Sequence, residues 1–361
     1  LQDRRSPPLC YIMKHGAPHG AHVVHSVLPA HFTSSGLKHS RDLAPHPINN
    51  TMPDYAKLPI QMMNFVTTMH CRDYLLIIDP LDVCDAQAKK GAPTLLMAIK
   101  TQTANFENRE AIRETWGNIK TLGGRQRLVR RVFLLGKSKD LHIEEKLHLE
   151  SEKYGDIIQW DFVDTFFNLT LKDVLFWDWF SRRCPHARFI FKGDDDVFVR
   201  TPAVLDYLLA EETFVVGDVI SNAAPIRSNG TKYYIPESFY KGLYPSYPGG
   251  GGVLYSGSLA HRLLVVSQRV HLFPIDDVYL GMCLQRLGVY PIDHPAFLTF
   301  DFPKDEPKEP CANHIILLVH KRSPAEMFQL WNETSTPSPE CRYFTRHVLV
   351  TVRFTWNPNQ M

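Results

Sequence analysis

Apolar runs that alternate with helical stretches are the feature that most restricts how this chain can fold. From about residue 94 onward, four runs read as strands: TLLMAIK (94–100), VRRVFLLG (129–136), DIIQW (156–160) and ARFIFKG (187–193). Helical patterns separate them, at 107–120, 140–155 and 171–184. Strands that are apolar throughout and are joined by helices are typical of a mainly parallel sheet covered on both faces. The sequence therefore predicts an α/β fold with a mainly parallel central sheet and helices on both faces.

Charge and composition narrow the class of protein. The chain has 361 residues, of which 44% are hydrophobic and 22% charged, and this balance is typical of a globular protein. Its 40 basic and 38 acidic residues nearly cancel, so charge gives no reason to expect nucleic acid as the main partner. The first 70 residues carry scattered proline, histidine and serine with little periodicity. They predict a largely disordered linker.

Cysteines and glycosylation sequons bear on the compartment. None of the seven cysteines form a CxxC pair, which argues against a zinc site. Four N-x-S/T sequons occur, at Asn49, Asn168, Asn229 and Asn332. Together these features favour an oxidising, secretory compartment. The longest apolar runs, such as HIILLVH (314–320), fall short of the ~20 residues that a membrane helix needs.

Three consecutive aspartates, Asp194, Asp195 and Asp196, directly follow the apolar triplet FIF. In an extended segment alternate side chains point to the same side, so Asp194 and Asp196 can face one ligand while Asp195 points away. Two convergent carboxylates attract Mg²⁺ or Mn²⁺, whose open positions suit phosphate oxygens. An acidic loop that only faces water is the alternative. The strand context favours a divalent cation site.

Four consecutive glycines stand within YPSYPGGGGVLYSG (244–257). Such a run costs conformational entropy, so it is kept where the backbone approaches a ligand closely or where a loop moves. Gly250 and Gly251 are therefore candidate ligand-binding positions, and a plain flexible loop is the alternative. The flanking tyrosines could offer flat faces to a sugar.

A second acidic pair lies in PIDDVYLG (274–281), at a predicted helix start. Carboxylates there suit the helix dipole, so Asp276 is interpreted as a cap. Asp277 is a candidate general base, because the chemistry needs one carboxylate more than a metal consumes.

Six motifs in order resemble the β-1,3-glycosyltransferase family, and within it the β-1,3-N-acetylglucosaminyltransferases. The resemblance spans about Cys71 to Cys341. The motifs are NREAIRETWG (108–117), FFNLTLK (166–172), FKGDDDVFV (191–199), KYYIPESFYKGLYPSYPGGGGVLYSG (232–257), IDDVYLGMCLQRLG (275–288) and LVHKRSPAEM (318–327).

This resemblance implies a GT-A-type fold and an inverting enzyme. The enzyme would transfer N-acetylglucosamine from UDP-GlcNAc, in β-1,3 linkage, to a terminal galactose on a glycoprotein or glycolipid. It also implies a type II protein in the Golgi lumen, with a membrane anchor expected upstream. Residues 1–70 would then be a stem, 71–342 the catalytic domain and 343–361 a tail of unknown role.

The resemblance also implies residue roles. Asp196, Asp194 and His320 would hold Mn²⁺ or Mg²⁺, and Asp277 would be the catalytic base. By itself His320 reads as a structural histidine that ends a strand. The implied donor-binding residues are Arg109, Arg113, Lys172, Asp194, Asp195, Gly250 and Gly251. Plausible disulfides are Cys71–Cys84, Cys184–Cys283 and Cys311–Cys341, with Cys10 left over, although the sequence does not decide connectivity.

Two other functions stay open at this stage. One is a β-1,3-galactosyltransferase that uses UDP-Gal. The aspartates of IDDVY favour N-acetylglucosamine, because many relatives that transfer galactose carry glutamate there. The other is a glycan-binding protein without turnover. The intact acidic motifs argue against this function.

Overall fold

The computed structural model describes residues 52–84, 92–118, 128–208, 215–302, 311–336 and 338–341. The chain forms two compact units, residues 1–71 and 72–361. The described part of the first unit holds one turn of 3-10 helix, Tyr55–Lys57, and helix α1, Ile60–Thr68. The hydroxyl groups of Tyr55 and Thr67 lie 2.8 Å apart and join the two. The sequence predicts no regular structure for this stretch, and the predicted tail 343–361 lies outside the described residues.

An eight-stranded sheet forms the centre of the second unit, in the order β1-β4-β3-β2-β5-β10-β7-β11. Its strands are β1 (Leu76–Ile78), β2 (Leu95–Lys100), β3 (Val129–Lys137), β4 (Ile157–Val163), β5 (Phe189–Asp194), β7 (Val215–Gly217), β10 (Gly252–Ser256) and β11 (Ile292–Asp293). Strands β4, β3, β2 and β5 are all parallel, whereas β10 joins β5 antiparallel. The mainly parallel sheet that the sequence predicts is confirmed.

Helices cover both faces of this sheet. They are α2 (Phe106–Glu114), α3 (Leu141–Tyr154), α4 (Leu169–Arg183), α5 (Thr201–Tyr207), α6 (Gly257–Ser267), α7 (Asp276–Leu287) and α8 (Pro324–Ser335). Alternate residues of a strand point to opposite faces. Leu95 and Met97 of β2 accordingly share one core with Ile112 of α2. On the other face, Trp177 of α4 donates a hydrogen bond of 3.2 Å to the Tyr255 hydroxyl of β10.

Local sequence sets the helix ends. Asp140 caps α3 by accepting a hydrogen bond from the backbone of His142, and Gly155 ends the helix with φ of 60°. Both boundaries agree with the prediction. Helix α2, predicted to continue to residue 120, ends at Glu114, and three residues later the carbonyl of Gly117 accepts a hydrogen bond from Arg131 of β3. No helix among the described residues has both the length and the hydropathy to cross a bilayer.

A second sheet, with three strands, begins directly after the end of β5. It has the order β12-β13-β6, with β6 (Val197–Val199), β12 (Phe297–Leu298) and β13 (Leu318–His320). Strand β13 is parallel to β12 and antiparallel to β6. A further pair, β8 (Val219–Ile220) with β9 (Tyr247–Pro248), precedes the glycine run. The chain thus leaves the main sheet and enters another within two residues, at the triple aspartate.

The disulfides correct two of the three pairings expected from the resemblance. Cys84 is bonded to Cys184, and Cys283 is a buried free thiol, so the pairs Cys71–Cys84 and Cys184–Cys283 are wrong. The reason is packing: Asp79 contacts the end of α4 through Trp179, which brings the segment after β1 to the cysteine that ends α4. The third expected pair, Cys311–Cys341, is confirmed.

Candidate active site

The register of the small sheet brings a histidine to the triple aspartate. Strand β5 ends at Asp194 and strand β6 begins at Val197, which is paired with His320 of β13. Asp196 directly precedes that pair, so its side chain reaches the imidazole. Residues more than 120 positions apart in the chain therefore meet at the carboxyl end of β5, the edge where α/β sheets place their ligands.

The three aspartates diverge as alternation along a strand requires. One ligand atom from each of Asp194, Asp196 and His320 lies within 4.8 Å of the others. The Asp195 carboxylate points elsewhere: it accepts hydrogen bonds from the Thr101 hydroxyl and, at 2.9 Å, from Asn105 Nδ2. The pair Asp194 and Asp196 faces one site, and Asp195 fastens the corner to the loop after β2.

His320 is oriented like a metal-binding histidine. Its Nδ1 lies 3.2 Å from the Thr299 carbonyl, which can only accept, so Nδ1 carries the proton. Its Nε2 is then directed at Asp196 Oδ1, 3.2 Å away. A backbone carbonyl that fixes the tautomer is typical of histidines that bind metals. Two carboxylates and this imidazole form a donor set that fits a divalent cation such as Mn²⁺.

The imidazole and the carboxylate also stabilise each other's charge. Burial alone would raise the pKa of Asp196, but the hydrogen bond from His320 holds it below its usual value. Burial alone would lower the pKa of His320, and the same contact with Asp196 raises it. Without a cation the two groups form an ion pair, which bound metal would replace.

Lys100 joins the triple aspartate to the second acidic pair. Its ammonium lies 3.1 Å from Asp194 Oδ1 and also forms a salt bridge with Asp276 Oδ2. The lysine ends strand β2, and Asp276 begins helix α7. Burial would lower the pKa of Lys100, but the two carboxylates outweigh it and raise that pKa well above its ordinary value. A permanent positive charge therefore connects both clusters.

Asp277 stands beside that salt bridge with an unusual pKa. Burial and the neighbouring charge of Asp276 raise the pKa of Asp277 to about 8. In this state the carboxyl group is mostly protonated at neutral pH. A cation nearby favours the ionised form of a carboxylate, so metal binding would lower this pKa and prepare the group to accept a proton.

The glycine run lies between the two clusters. A Cβ on Gly250 would lie 2.8 Å from Asp277 Oδ2, and one on Gly251 would lie 3.1 Å from His320 Cβ. Consecutive residues thus contact the two ends of the site. Gly252 is paired with Gly193, directly before Asp194, which fixes this placement. The close approach of backbone to functional side chains accounts for glycine at these positions.

The three predicted cations Arg109, Arg113 and Lys172 are buried and paired with carboxylates of the fold. Arg109 and Arg113 both contact Glu150 of α3, at 2.7 Å and 2.5 Å. Lys172 pairs with Asp164 at 2.9 Å.

Two of these cations also support the loop after β2. Lys172 donates to the Thr101 carbonyl at 2.6 Å, and Arg109 donates to the Gln102 carbonyl at the same distance. Because the Thr101 hydroxyl bonds Asp195, these cations help to fix the corner that carries the triple aspartate.

Sequence reasoning missed two residues of the site, Lys100 and Thr299, and took Asp276 only as a helix cap. A lysine at the end of the apolar run TLLMAI was a usable signal for Lys100, since a buried lysine requires a partner of opposite charge. Thr299 contributes only its main-chain carbonyl, so no side-chain pattern could have pointed to it.

The mainly parallel α/β sheet thus carries possible cation ligands at the end of β5, with a separate carboxylate, Asp277, beside them. The family model described as Galactosyltransferase matches residues 107–295. The chain belongs to this family.

Two similar proteins are both named as β-1,3-N-acetylglucosaminyltransferases. The chain is 48% identical over 304 residues to N-acetyllactosaminide β-1,3-N-acetylglucosaminyltransferase 2 of Mus musculus, covering 81% of this chain and 75% of the relative. It is 42% identical over 293 residues to UDP-GlcNAc:βGal β-1,3-N-acetylglucosaminyltransferase 7 of Rattus norvegicus, covering 78% and 72%. Among solved structures, galactosyltransferase LgtC with donor and acceptor sugar analogs gives a TM-score of 0.36 at 12% identity, covering 69% of this chain and 99% of that one. That likeness is too weak to carry an argument.

Substituting the two central glycines should separate the two ends of the site. In Gly250→Ala the new methyl group displaces the Asp277 carboxylate, so we expect kcat to fall by about 10-fold or more with Mn²⁺ affinity retained. In Gly251→Ala the methyl group presses on His320, so Mn²⁺ affinity should weaken instead. Each variant is the control for the other, measured by steady-state kinetics and Mn²⁺ titration. Identical effects of both substitutions would contradict the assignment.

Proposed function

We propose that this protein is an inverting enzyme that transfers N-acetylglucosamine from UDP-GlcNAc, in β-1,3 linkage, to a terminal galactose of a glycan. Both relatives described above are named as β-1,3-N-acetylglucosaminyltransferases, and the name of one also gives UDP-GlcNAc and βGal. The observation that carries the proposal is the arrangement of Asp277 beside the triad of Asp194, Asp196 and His320, with Gly250 and Gly251 between them. The acceptor would be an oligosaccharide on a glycoprotein or glycolipid.

The triad would hold a divalent cation, and we propose Mn²⁺. Mg²⁺ prefers an octahedron of oxygen ligands, whereas a set that includes an imidazole suits a transition metal better. When bound, the cation would supply positive charge for the diphosphate of UDP as the bond to the sugar breaks. Asp194 and Asp196 would supply carboxylate oxygens, and His320 would supply Nε2, which gives up its proton when the cation replaces the ion pair with Asp196, while Nδ1 keeps its proton on the Thr299 carbonyl.

Asp277 would act as the general base. A carboxylate oxygen of Asp277 takes the proton from O3 of the galactose. O3 then attacks C1 of N-acetylglucosamine from the side opposite UDP. The bond from C1 to the diphosphate oxygen breaks, UDP leaves with the electron pair, and the anomeric carbon is inverted. One direct displacement needs one base and no covalent nucleophile, so the single carboxylate Asp277 is sufficient.

The remaining assignments follow from this mechanism. Asp195 would position the acidic corner through Thr101, and the glycines Gly250 and Gly251 would let donor and backbone approach closely. The cations Arg109, Arg113 and Lys172 would support the nucleotide site from beneath. We also propose that residues 1–70 form a stem, 71–342 the catalytic domain and 343–361 a tail, in an anchored protein of the Golgi lumen.

A β-1,3-galactosyltransferase is the second candidate, because the matching family model is itself described as Galactosyltransferase. Both reactions use the same base and the same cation site, so the donor sugar alone distinguishes them.

Competition between donors in one reaction tests the proposal. With equal UDP-GlcNAc and UDP-Gal, Mn²⁺ and an N-acetyllactosamine acceptor, we expect N-acetylglucosamine in at least about 90% of the product, since a donor site made to bond one sugar substituent discriminates by orders of magnitude. Mass spectrometry distinguishes the products. Preferential transfer of galactose would establish the second candidate, and no transfer from either donor would favour a protein that binds glycans without turnover.

Two aspartate substitutions should affect different steps. Asp277→Asn removes the base, so we expect kcat to fall by about 10²–10⁴-fold while UDP binding in Mn²⁺ is retained. Asp196→Ala removes a cation ligand, so Mn²⁺-dependent UDP binding should weaken. Asp178→Asn, in an exposed ion pair with Arg182 on α4, is the control and should change neither. Near-normal turnover in Asp277→Asn would refute the base, and unchanged UDP binding in Asp196→Ala would refute the ligand.

A further inference from the structure

Arg322 is a largely buried arginine two residues after the proposed metal ligand His320. It follows β13 and precedes the capping box of α8, formed by Ser323 and Glu326. Only 11% of its side chain is exposed. Nothing in the chemistry proposed above uses this residue.

Its contacts lead to both sides of the cation site. The backbone N–H of Arg322 donates to the main-chain carbonyl of Asp196 at 2.7 Å. Nη1 of its guanidinium donates to the carbonyls of His320 at 3.1 Å and Lys321 at 2.9 Å. Nη2 forms a salt bridge with Asp301. One residue therefore bonds the main chain of two proposed ligands.

The salt bridge also links Arg322 to the turn that carries the hydrogen-bond acceptor of His320. Asp301 lies two residues after Thr299, whose carbonyl fixes the protonated nitrogen of His320. By holding Asp301, Arg322 holds the end of the turn that carries that carbonyl. The imidazole is thus located by its own main chain, which Arg322 bonds, and by the Thr299 carbonyl, which lies two residues before Asp301, the salt-bridge partner of Arg322.

Backbone strain in the same segment indicates that these contacts are needed. Lys321 has φ of 59° and Asp301 has φ of 72°, in the left-handed region that residues with a Cβ normally avoid. They are two of three such non-glycine residues in the described part of the chain, and both contact the Arg322 guanidinium. Such conformations are strained and persist where surrounding contacts enforce them.

We propose that Arg322 is a positioning residue for the divalent cation, which sets the spacing between Asp196 and His320. This inference rests on the proposed cation site and adds a residue that does not touch the metal. The planar guanidinium presents several N–H groups at fixed angles, so it can bond two carbonyls and a carboxylate at once. A lysine has the same charge but no fixed fork, so it cannot reproduce all three contacts.

Titration of Mn²⁺ alone tests this role in Arg322→Lys. We expect Mn²⁺ to bind about 10-fold more weakly than to the wild type, the size of effect typical when a group that orients metal ligands is lost. At saturating Mn²⁺ we expect kcat to return to within about threefold of the wild type, because the metal then restores the ligand geometry. The matched control is Arg182→Lys, the same change in the exposed pair with Asp178, which should bind Mn²⁺ as the wild type does.

A second variant, Asp301→Asn, keeps the proposal testable if Arg322→Lys does not fold. It removes the charge of the salt bridge, leaves Arg322 its two carbonyl partners, and should weaken Mn²⁺ binding by a smaller factor. A lower melting temperature with unchanged Mn²⁺ affinity in either variant would make Arg322 a purely structural residue and overturn the proposal. Absence of Mn²⁺ binding in the wild type would instead contradict the cation site of the proposed function, and with it the role of Arg322.

Discussion

The salt bridges of Lys100 hold the proposed active site together. Five aspartates from two distant parts of the chain converge here, and like charges at such distances repel strongly. The Lys100 ammonium lies between Asp194 and Asp276, and beneath it Lys192 forms a buried salt bridge with Asp173. Breaking a buried ion pair typically costs about 3–5 kcal/mol, because the remaining charge has no partner. The strand end of β2 thereby fixes the start of α7 against the end of β5.

Lys100 and Lys192 do not neutralise all the carboxylates of the site. Burial raises the pKa of Asp194 despite Lys100, and burial raises the pKa of Asp195 to about 6 and that of Asp277 to about 8. Each raised pKa means that the ionised carboxylate is penalised where it stands. A divalent cation, together with the nearby lysines, would remove that penalty. The same charge balance would account for the proposed cation binding by Asp194 and for a proposed base that becomes active when the cation is bound.

The sequence predicts the parts of this molecule that depend on local pattern. The parallel strands, the caps of α3 and the division of labour among Asp194, Asp195 and Asp196 follow from periodicity and alternation. What depends on tertiary register could not be predicted: the pairing of Val197 with His320, the carbonyl of Thr299 and the partner of Cys84. The resemblance supplied His320, but its orientation comes from a strand pairing between distant segments.

Anomalous diffraction at the manganese edge, on crystals soaked with Mn²⁺ and UDP, tests the central claim most directly. We expect one strong peak bounded by Asp196 Oδ1 and His320 Nε2, with the two phosphates of UDP on the side that faces Asp277. A peak elsewhere, or a nucleotide separated from Asp277 by protein atoms, would show that the two acidic clusters do not form one site.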